Sequence, residues 1–195
     1  MPVFTFDPVG HVYALDGVQI PGVTSILKAA GLVPNYGGFG DAQLRGTRVH
    51  EACELMDLND LDLDWIKINW PDSWFNRVLA YQRFKVDTGF VPELIEYQTF
   101  HPVFRYGGTL DRRGKLNGFD WILEIKTGPP EDWHGLQLSG YKILRESDWK
   151  LDKRGGLYLK EDGSYTFKEF SDPSDDYVFM ASASVFNWKG LHGIK

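Results

Sequence analysis

The chain has little of several features that would place a protein in a special class. Cys53 is the single cysteine among 195 residues, which excludes an internal disulfide and a four-cysteine iron–sulfur site. No run of about 18 apolar residues occurs, and the segment Met1–Phe4 lacks the charged start and apolar core of a secretory signal. These absences argue against a membrane span and against secretion, so we expect a cytoplasmic protein.

An excess of positive charge is also missing. The 21 Lys and Arg residues are outnumbered by 27 Asp and Glu residues, which gives a formal net charge of −6. A protein that binds nucleic acid needs positive charge where the phosphates lie, but a local patch is enough. Each candidate for such a patch could equally be an ordinary solvated side chain. The candidates are Arg45, Arg48, Arg112, Arg113, Lys115, Lys142 and Arg145.

The most informative segment that is present contains an Asn117-Gly118 dipeptide between two strand-forming stretches. Asn-Gly is typical of a two-residue hairpin turn, because both central positions need positive φ. If these two residues form the turn, Leu116 faces Phe119. Counting outward along both strands then places Asp111 opposite Glu124.

Opposed residues of a hairpin share one face of the sheet, with Cβ atoms about 5 Å apart. Strand alternation puts Lys126 on the same face as Glu124, whereas Trp121, Leu123 and Ile125 point to the other side, toward a core. Two carboxylates and an ammonium group would then surround one divalent cation. Mg²⁺ takes hard oxygen ligands and keeps positions for water and phosphate. The pattern therefore indicates metal-assisted phosphoryl chemistry.

The same three side chains could instead form a solvated ion-pair cluster on an exposed hairpin face. Two features favour a functional site. Glu124 lies in the apolar run Ile122–Ile125, expected of a buried central strand, where an unpaired charge costs several kcal/mol. Gly107 and Gly108 allow another backbone or a ligand to approach the neighbouring strand. This segment alone leaves both interpretations open.

Asp111, followed after the hairpin by Glu124-Ile125-Lys126, resembles the core of the PD-(D/E)xK nuclease superfamily. Two further segments are similar to motifs of its RecB-type and lambda-exonuclease-like branch. Residues Gly46 to His50 match a Gly-Thr-x-x-His motif within a helix, and residues Gln137 to Tyr141 match a Gln-x-x-x-Tyr motif within another helix. All three occur in the order of that branch. The proline of the superfamily name is absent, since Leu110 precedes Asp111, at a position that varies in this branch.

The resemblance implies a role for each matching residue. Asp111, Glu124, His50 and the backbone carbonyl of Ile125 would bind the metal, and Lys126 would position or help deprotonate the attacking water and stabilise charge on the phosphate. Taken by itself, a lone helical histidine is more often a half-buried structural residue than a ligand. An imidazole ligand favours Mn²⁺ relative to a site of oxygen ligands alone, so we expect Mn²⁺ to support activity at least as well as Mg²⁺.

A second set of residues is expected to bind nucleic acid or to support the site. Gln137 and Tyr141 stand four apart on one helix face, although the helix pattern alone would leave the glutamine merely exposed. Glu96 resembles an additional acidic residue of relatives and ranks below the other candidates. The set consists of Gln137, Tyr141, Glu96, Arg48, Arg112 and Arg113.

The function implied is a metal-dependent DNA nuclease that uses Mg²⁺ or Mn²⁺, most simply an exonuclease of recombination, repair or phage DNA processing in a bacterial or phage-infected cell. A structure- or sequence-selective endonuclease and a catalytically inactive nucleic-acid-binding module on the same fold remain alternatives. We expect modest, salt-sensitive DNA affinity. A recombination or single-strand-binding partner protein, or self-assembly into a homo-oligomer, could assist it.

The expected fold is α/β: a restriction-endonuclease-like three-layer core, with a central mixed β-sheet flanked by helices and an N-terminal β-hairpin addition. We expect one domain over residues 1–195, in which residues 1–30 form a hairpin and helix cover and residues 40–190 form the nuclease core. Strands are predicted at 4–7, 11–15, 93–100, 107–116, 119–126, 156–160 and 165–170, and a flexible loop at 37–40. Helices are predicted at 23–30, around His50, at 73–87, around Gln137 and at 172–188.

Overall fold

A computed structural model describes residues 2–35 and 40–194, except for the side chains of residues 146 and 147. The strands within these ranges are β1 Phe4–Asp7, β2 Val12–Leu15, β3 Val18–Ile20, β4 Val91–His101, β5 Tyr106–Leu116, β6 Phe119–Lys126, β7 Lys153–Leu159 and β8 Tyr165–Glu169. The helices are α1 Val23–Ala29, α2 Gly40–Asp57, α3 Leu63–Asn69, α4 Asp72–Thr88, α5 Trp133–Leu144, α6 Glu146–Trp149 and α7 Ser174–Leu191.

The central sheet has five strands in the order β4-β5-β6-β7-β8. β6 and β7 pair in parallel and the other neighbours pair antiparallel, so the sheet is mixed. The parallel pair needs a crossover connection, and α5 supplies its main helix. The predicted mixed sheet is confirmed.

Helices cover both faces of this sheet. On one face, α1, α5 and α7 pack over buried residues that include Leu110 and Ile122. On the other face, α2 and α4 pack over Leu123 and Ile125. Consecutive residues of β6 thus enter opposite cores, because side chains alternate along a strand. A strand that is buried on both faces needs a nearly continuous apolar run, which explains the sequence around Glu124.

The Asn117-Gly118 turn forms as predicted, with φ of 51° and 79°. Leu116 faces Phe119, and the paired register continues to Arg112 and Leu123. The predicted close approaches at the start of β5 are also present. A Cβ atom on Gly107 would lie 2.6 Å from the Tyr13 ring, and one on Gly108 would lie 2.8 Å from the Leu144 side chain.

The predicted N-terminal hairpin forms from β1 and β2, and β3, which was not predicted, extends it to a three-stranded antiparallel sheet in the order β1-β2-β3. Asp16 and Gly17, with φ of 54° and 75°, form a second tight turn before β3. The Asp-Gly dipeptide is itself a turn signal. The strand that follows has three residues, too few to show an alternating pattern.

The short helices α3 and α6 were not predicted. The predicted loop at 37–40 falls almost entirely on residues outside the described part of the chain. Among the described helices, none combines the length and apolar character needed to cross a membrane. The extent of the domain stays a prediction.

Candidate active site

Three carboxylates lie side by side across the middle of the central sheet. The register of β4 with β5 places Glu96 level with Asp111. The paired register of β5 with β6 ends at Arg112 and Leu123, and just beyond it the Asp111 carboxylate accepts a hydrogen bond from the N–H of Ile125, the residue after Glu124, at 2.7 Å. Glu96 adopts φ of 44°, a left-handed conformation that is uncommon for a residue with a side chain. Strand pairing thus gathers acidic groups that are 13 to 15 positions apart in the chain.

His50 reaches these carboxylates from α2. Its Nε2 lies 2.9 Å from the carbonyl oxygen of Ile125, and its Nδ1 lies 3.6 Å from Oδ1 of Asp111. A carbonyl only accepts hydrogen bonds, so Nε2 carries the proton and Nδ1 presents its lone pair toward Asp111. Ligand atoms of His50, Glu96 and Asp111 lie within 4.8 Å of one another. Histidine ligands of metals commonly donate their second ring N–H to a backbone carbonyl in this way.

The acidic groups are crowded and buried. Asp111 and Glu124 are 6% and 4% exposed, and burial raises the pKa of both carboxyl groups, that of Glu124 to about 7 with Asp111 adding to the effect. Burial, and then the charge of Asp111, raises the pKa of Glu96 to about 8. Burial lowers the pKa of His50 to about 4, so its imidazole is neutral at pH 7. A bound cation would relieve the repulsion among these carboxylates.

The two oxygens of Glu124 have different surroundings. Oε1 accepts hydrogen bonds from Nζ of Lys126 at 2.7 Å and from Nε2 of Gln137 at 2.9 Å. Oε2 is buried, and among the described residues it has no hydrogen-bond partner. Leaving a buried carboxylate oxygen unsatisfied is costly. Together with carboxylate and imidazole donors, this oxygen fits a divalent cation such as Mg²⁺ or Mn²⁺.

Gln137 connects the lysine, Glu124 and Tyr141. Its Oε1 accepts a hydrogen bond from Lys126 at 3.0 Å, and its Nε2 also donates to the Tyr141 hydroxyl at 2.9 Å. Gln137 is 4% exposed, so the alternative of an exposed glutamine on an amphipathic helix is wrong. The structure places Gln137 and Tyr141 where they hold the site together from α5.

Arg112 lies beneath the site and is 1% exposed. Its guanidinium donates to Asp57 at 2.6 Å, to Glu96 at 2.9 Å and to the carbonyl oxygen of Asp111 at 2.6 Å. Asp57 also accepts a hydrogen bond from Tyr81 at 2.6 Å. Arg112 is too deep to meet a nucleic acid, so of its two expected roles the structure favours support of the site. Asp57, the last residue of the helix that carries His50, is a counter-ion of Arg112 and was not predicted from the sequence.

The structure does not bring the two other arginines of the supporting set to the carboxylates. Arg48 is exposed and pairs with Glu51 at 2.9 Å. Arg113 alternates with Arg112 along β5 and therefore points to the opposite face, where it bonds to Asp152 at 2.6 Å and Glu93 at 3.1 Å. Their proposed contact with nucleic acid stays a prediction.

An open cleft of about 480 Å³ leads to the carboxylates. His50, Glu96, Asp111 and Gln137 line it, and so does Thr109. The hydroxyl of Thr109 lies 2.9 Å from that of Tyr13, so the N-terminal sheet forms part of the wall. We call this space the acidic cleft. Its depth and its ligand atoms suit a cation that remains accessible to solvent and substrate.

Comparisons with known proteins give a limited result. No family model matches the chain, and a search of curated proteins returns no significant match. Among solved structures it is similar to an alkaline exonuclease, LHK-Exo, from Laribacter hongkongensis, with a TM-score of 0.47 and 14% identity over 86% of this chain and 74% of that chain. It is also similar to LHK-Exo in complex with dAMP, with a TM-score of 0.45 and 16% identity over 84% and 74% of the two chains. These are loose similarities of chain path at low identity, and neither assigns an activity to this chain.

Proposed function

We propose that this protein is a divalent-metal-dependent deoxyribonuclease that hydrolyses phosphodiester bonds. The observation that carries the proposal is the set of ligand atoms from His50, Glu96 and Asp111 within 4.8 Å of one another, next to a lysine that is bonded to Glu124. A structural ion-pair network would satisfy its buried oxygens within the protein. Here the raised carboxyl pKa values and the unsatisfied Oε2 of Glu124 support a site built to receive a cation.

His50, Glu96 and Asp111 would hold the cation, with Glu124 and the Ile125 carbonyl as the further ligands that the motif implies. When bound, a divalent cation there supplies Lewis-acid polarisation of the phosphate and a more acidic water. The remaining chemistry belongs to Lys126. Two of its three N–H bonds point to Glu124 and Gln137, and the third is left to donate to a phosphate oxygen or to the attacking water.

The finer assignments rest on the three motifs. We assign residues 1–195 to one nuclease domain of the RecB-type or lambda-exonuclease-like branch, acting on DNA in the cytoplasm of a bacterial or phage-infected cell. An exonuclease of recombination, repair or phage DNA processing fits that branch best. The presence of Asp111, Glu124 and Lys126 together favours an enzyme rather than an inactive binding module, because a decayed site usually loses one of them.

The test compares linear DNA with covalently closed circular DNA, each incubated with Mg²⁺, with Mn²⁺ or with EDTA. An exonuclease degrades the linear DNA alone, an endonuclease cuts both, and an inactive module cuts neither. We expect degradation of the linear DNA, its loss in EDTA, and at least equal activity with Mn²⁺. Cleavage that persists in EDTA would contradict the metal-dependent mechanism.

A further inference from the structure

A second cleft, of about 670 Å³, lies beside the acidic one. Lys28, Arg45, Lys126 and Trp133 contribute to its lining, and Glu131 is its one acidic lining residue among those described. His134 also lines it; burial lowers the pKa of this imidazole to about 3, so the ring carries no charge at pH 7. In a chain with a net charge of −6, three cationic side chains thus face one space. We call this space the basic cleft.

The two clefts meet in the first half of α2, where the consecutive residues Arg45 and Gly46 separate them; we call these two residues the partition. Gly46 of α2 lines the acidic cleft, and its neighbour Arg45 lines the basic cleft. A Cβ atom on Gly46 would be 3.9 Å from the hydroxyl of Thr127, so the helix approaches the end of β6 at this point. Lys126 connects the two regions, since it lines the basic cleft and donates a hydrogen bond at 3.0 Å to Gln137, which lines the acidic cleft. A ligand that spans the partition would therefore pass over Lys126.

Of the three cationic side chains of the basic cleft, Lys126 is paired with Glu124, whereas Lys28 and Arg45 form no ion pair with any described acidic residue. Lys28 is exposed in the last turn of α1. Nε of Arg45 is buried, and no hydrogen-bond partner for it occurs among the described residues. Glu131, by contrast, accepts a hydrogen bond from the Trp133 indole at 3.2 Å. The net field in this cleft therefore attracts an anion, and its volume is in the range of clefts that hold a whole ligand of moderate size.

We propose that the basic cleft binds the nucleic-acid strand next to the phosphate under attack, with Lys28 and Arg45 contacting its phosphates and Trp133 forming the side wall. The inference rests on the proposed nuclease function and adds the place where the strand beside the scissile phosphate is held. Positive grooves with aromatic walls are the usual way in which proteins hold single strands. The shared chemistry is the phosphodiester backbone, which DNA and RNA both offer.

The first test measures binding of a short labelled single-stranded DNA in EDTA, where cleavage is suppressed. The double variant Lys28→Gln/Arg45→Gln should bind several-fold more weakly. The slope of log affinity against log salt should fall by about 1.4, since each phosphate contact on a single strand contributes about 0.7. Arg83→Gln on α4 is the matched control, because Arg83 lines neither cleft, and it should leave both quantities as in the wild type.

A second measurement guards against a general defect of the double variant. The double variant should lose far more activity toward a short oligonucleotide than toward a small aryl phosphodiester. Most of this loss should appear as a higher KM. Lys28→Gln alone, on an exposed side chain, should show the same trend to a smaller degree. RNA of the same sequence identifies the source: tighter binding of DNA or of RNA by the wild type names the natural strand, and the double variant should weaken both.

The outcomes separate the two proposals. If the double variant binds DNA with unchanged affinity and unchanged salt slope, the assignment of the basic cleft is wrong, whatever the wild type cleaves. If the wild type cleaves no DNA with either metal but the double variant still loses binding, the cleft assignment holds and the nuclease proposal fails.

Discussion

The acidic and basic clefts are neighbours, yet they are built in opposite ways. The acidic cleft holds Glu96 and Asp111 on the adjacent strands β4 and β5, with His50, Glu51 and Glu54 beside them on α2. The basic cleft draws its cationic side chains from the surfaces of α1 and α2 and from the end of β6. Rigid strands suit groups that must hold a cation in a set geometry, whereas exposed helical side chains suit a substrate that slides or varies.

This difference also explains how a chain with net negative charge could act on a polyanion. Acidic side chains outnumber basic ones at the site, where they surround the proposed position of the cation. The basic side chains lie together in the neighbouring basic cleft. The net charge of the whole chain does not determine the electrostatic potential in either cleft, because the potential of distant charges is screened within about 8 to 10 Å at ordinary ionic strength.

The largest expected effect comes from Lys126, the residue that connects the two clefts. Lys126→Ala should lower DNA cleavage by about 100- to 1,000-fold, because it removes a donor aimed at the developing phosphate charge. Asp111→Ala should do the same by removing a ligand, and both variants should keep the circular dichroism spectrum of the wild type. Lys160→Ala, on an exposed residue after β7, is the control. A fully active Lys126→Ala enzyme would overturn the assignment of the site.

The second prediction concerns the ion pairs that Arg112 makes with Asp57 and Glu96 beneath the acidic cleft. Arg112→Met should lower the free energy of unfolding by about 3 kcal/mol, because it leaves the buried Asp57 with Lys85 as its remaining ion-pair partner and removes the partner of Glu96. Lys115→Met on the same strand removes an exposed ion pair with Asp120 and should change the free energy of unfolding far less. Urea denaturation of the three proteins checks the comparison. Equal stability of the Arg112 and Lys115 variants would count against a supporting role.

His50 tests whether the acidic cleft binds its cation through nitrogen as well as oxygen. His50→Asn should weaken Mn²⁺ binding by about 10- to 100-fold, and it should lower the ratio of Mn²⁺-supported to Mg²⁺-supported cleavage. Calorimetric titration with each ion measures the affinity. Asp60→Asn, on an exposed residue just beyond the end of α2 that lines neither cleft, should behave like the wild type. A His50 variant with unchanged Mn²⁺ affinity would show that the imidazole is structural.

The smallest expected effect is the pH dependence of the metal-free protein. Burial raises the pKa of Glu124 to about 7 and that of Glu96 to about 8, whereas both are near 4.5 without burial. Between about pH 6.5 and pH 8 the folded state therefore binds more protons than the unfolded state, so stability falls as pH rises, by no more than about 1.4 kcal/mol per pH unit for each carboxyl. His50, with its pKa lowered to about 4, titrates below this window.

Thermal unfolding in EDTA across that window measures the effect. Glu124→Gln should make the decline shallower, because it removes one of the two titrating carboxyls. Added Mg²⁺ or Mn²⁺ should raise the midpoint more at pH 8 than at pH 6.5, since the ligands must lose their protons to bind. A metal-free protein that gains stability between about pH 6.5 and pH 8 would contradict the raised carboxyl pKa values.

Much of the site's framework could be predicted from local sequence. The Asn117-Gly118 turn sets the register of β5 with β6, because positive φ at two successive residues is a local property. Counting from that turn predicts that Asp111 lies opposite Glu124, and the structure carries the pairing as far as Arg112 and Leu123. The helices that carry His50 and Gln137 were likewise indicated by spacing and by their end signals.

The importance of Glu96 and the role of Arg112 could not be predicted in the same way. Glu96 ranked low because its closeness to Asp111 depends on the pairing of β4 with β5, across a register shift between Pro92 and Leu94. Arg112 looked like a candidate for the surface, because burial of a charge depends on a partner that sequence spacing does not reveal. That partner, Asp57, is 55 positions away.

The sequence by itself determined the short-range features of this protein: the turns, the alternation along strands, the helix faces and the motif residues. These depend on backbone dihedral preferences and on periods of about two and 3.6 residues, which act within a few positions. The tertiary structure alone decided which cationic side chains are buried and which face a cleft, and how Lys126 connects the acidic and basic clefts. Those outcomes depend on contacts between distant segments, where the cost of burying a charge is offset only by the partners that folding brings together.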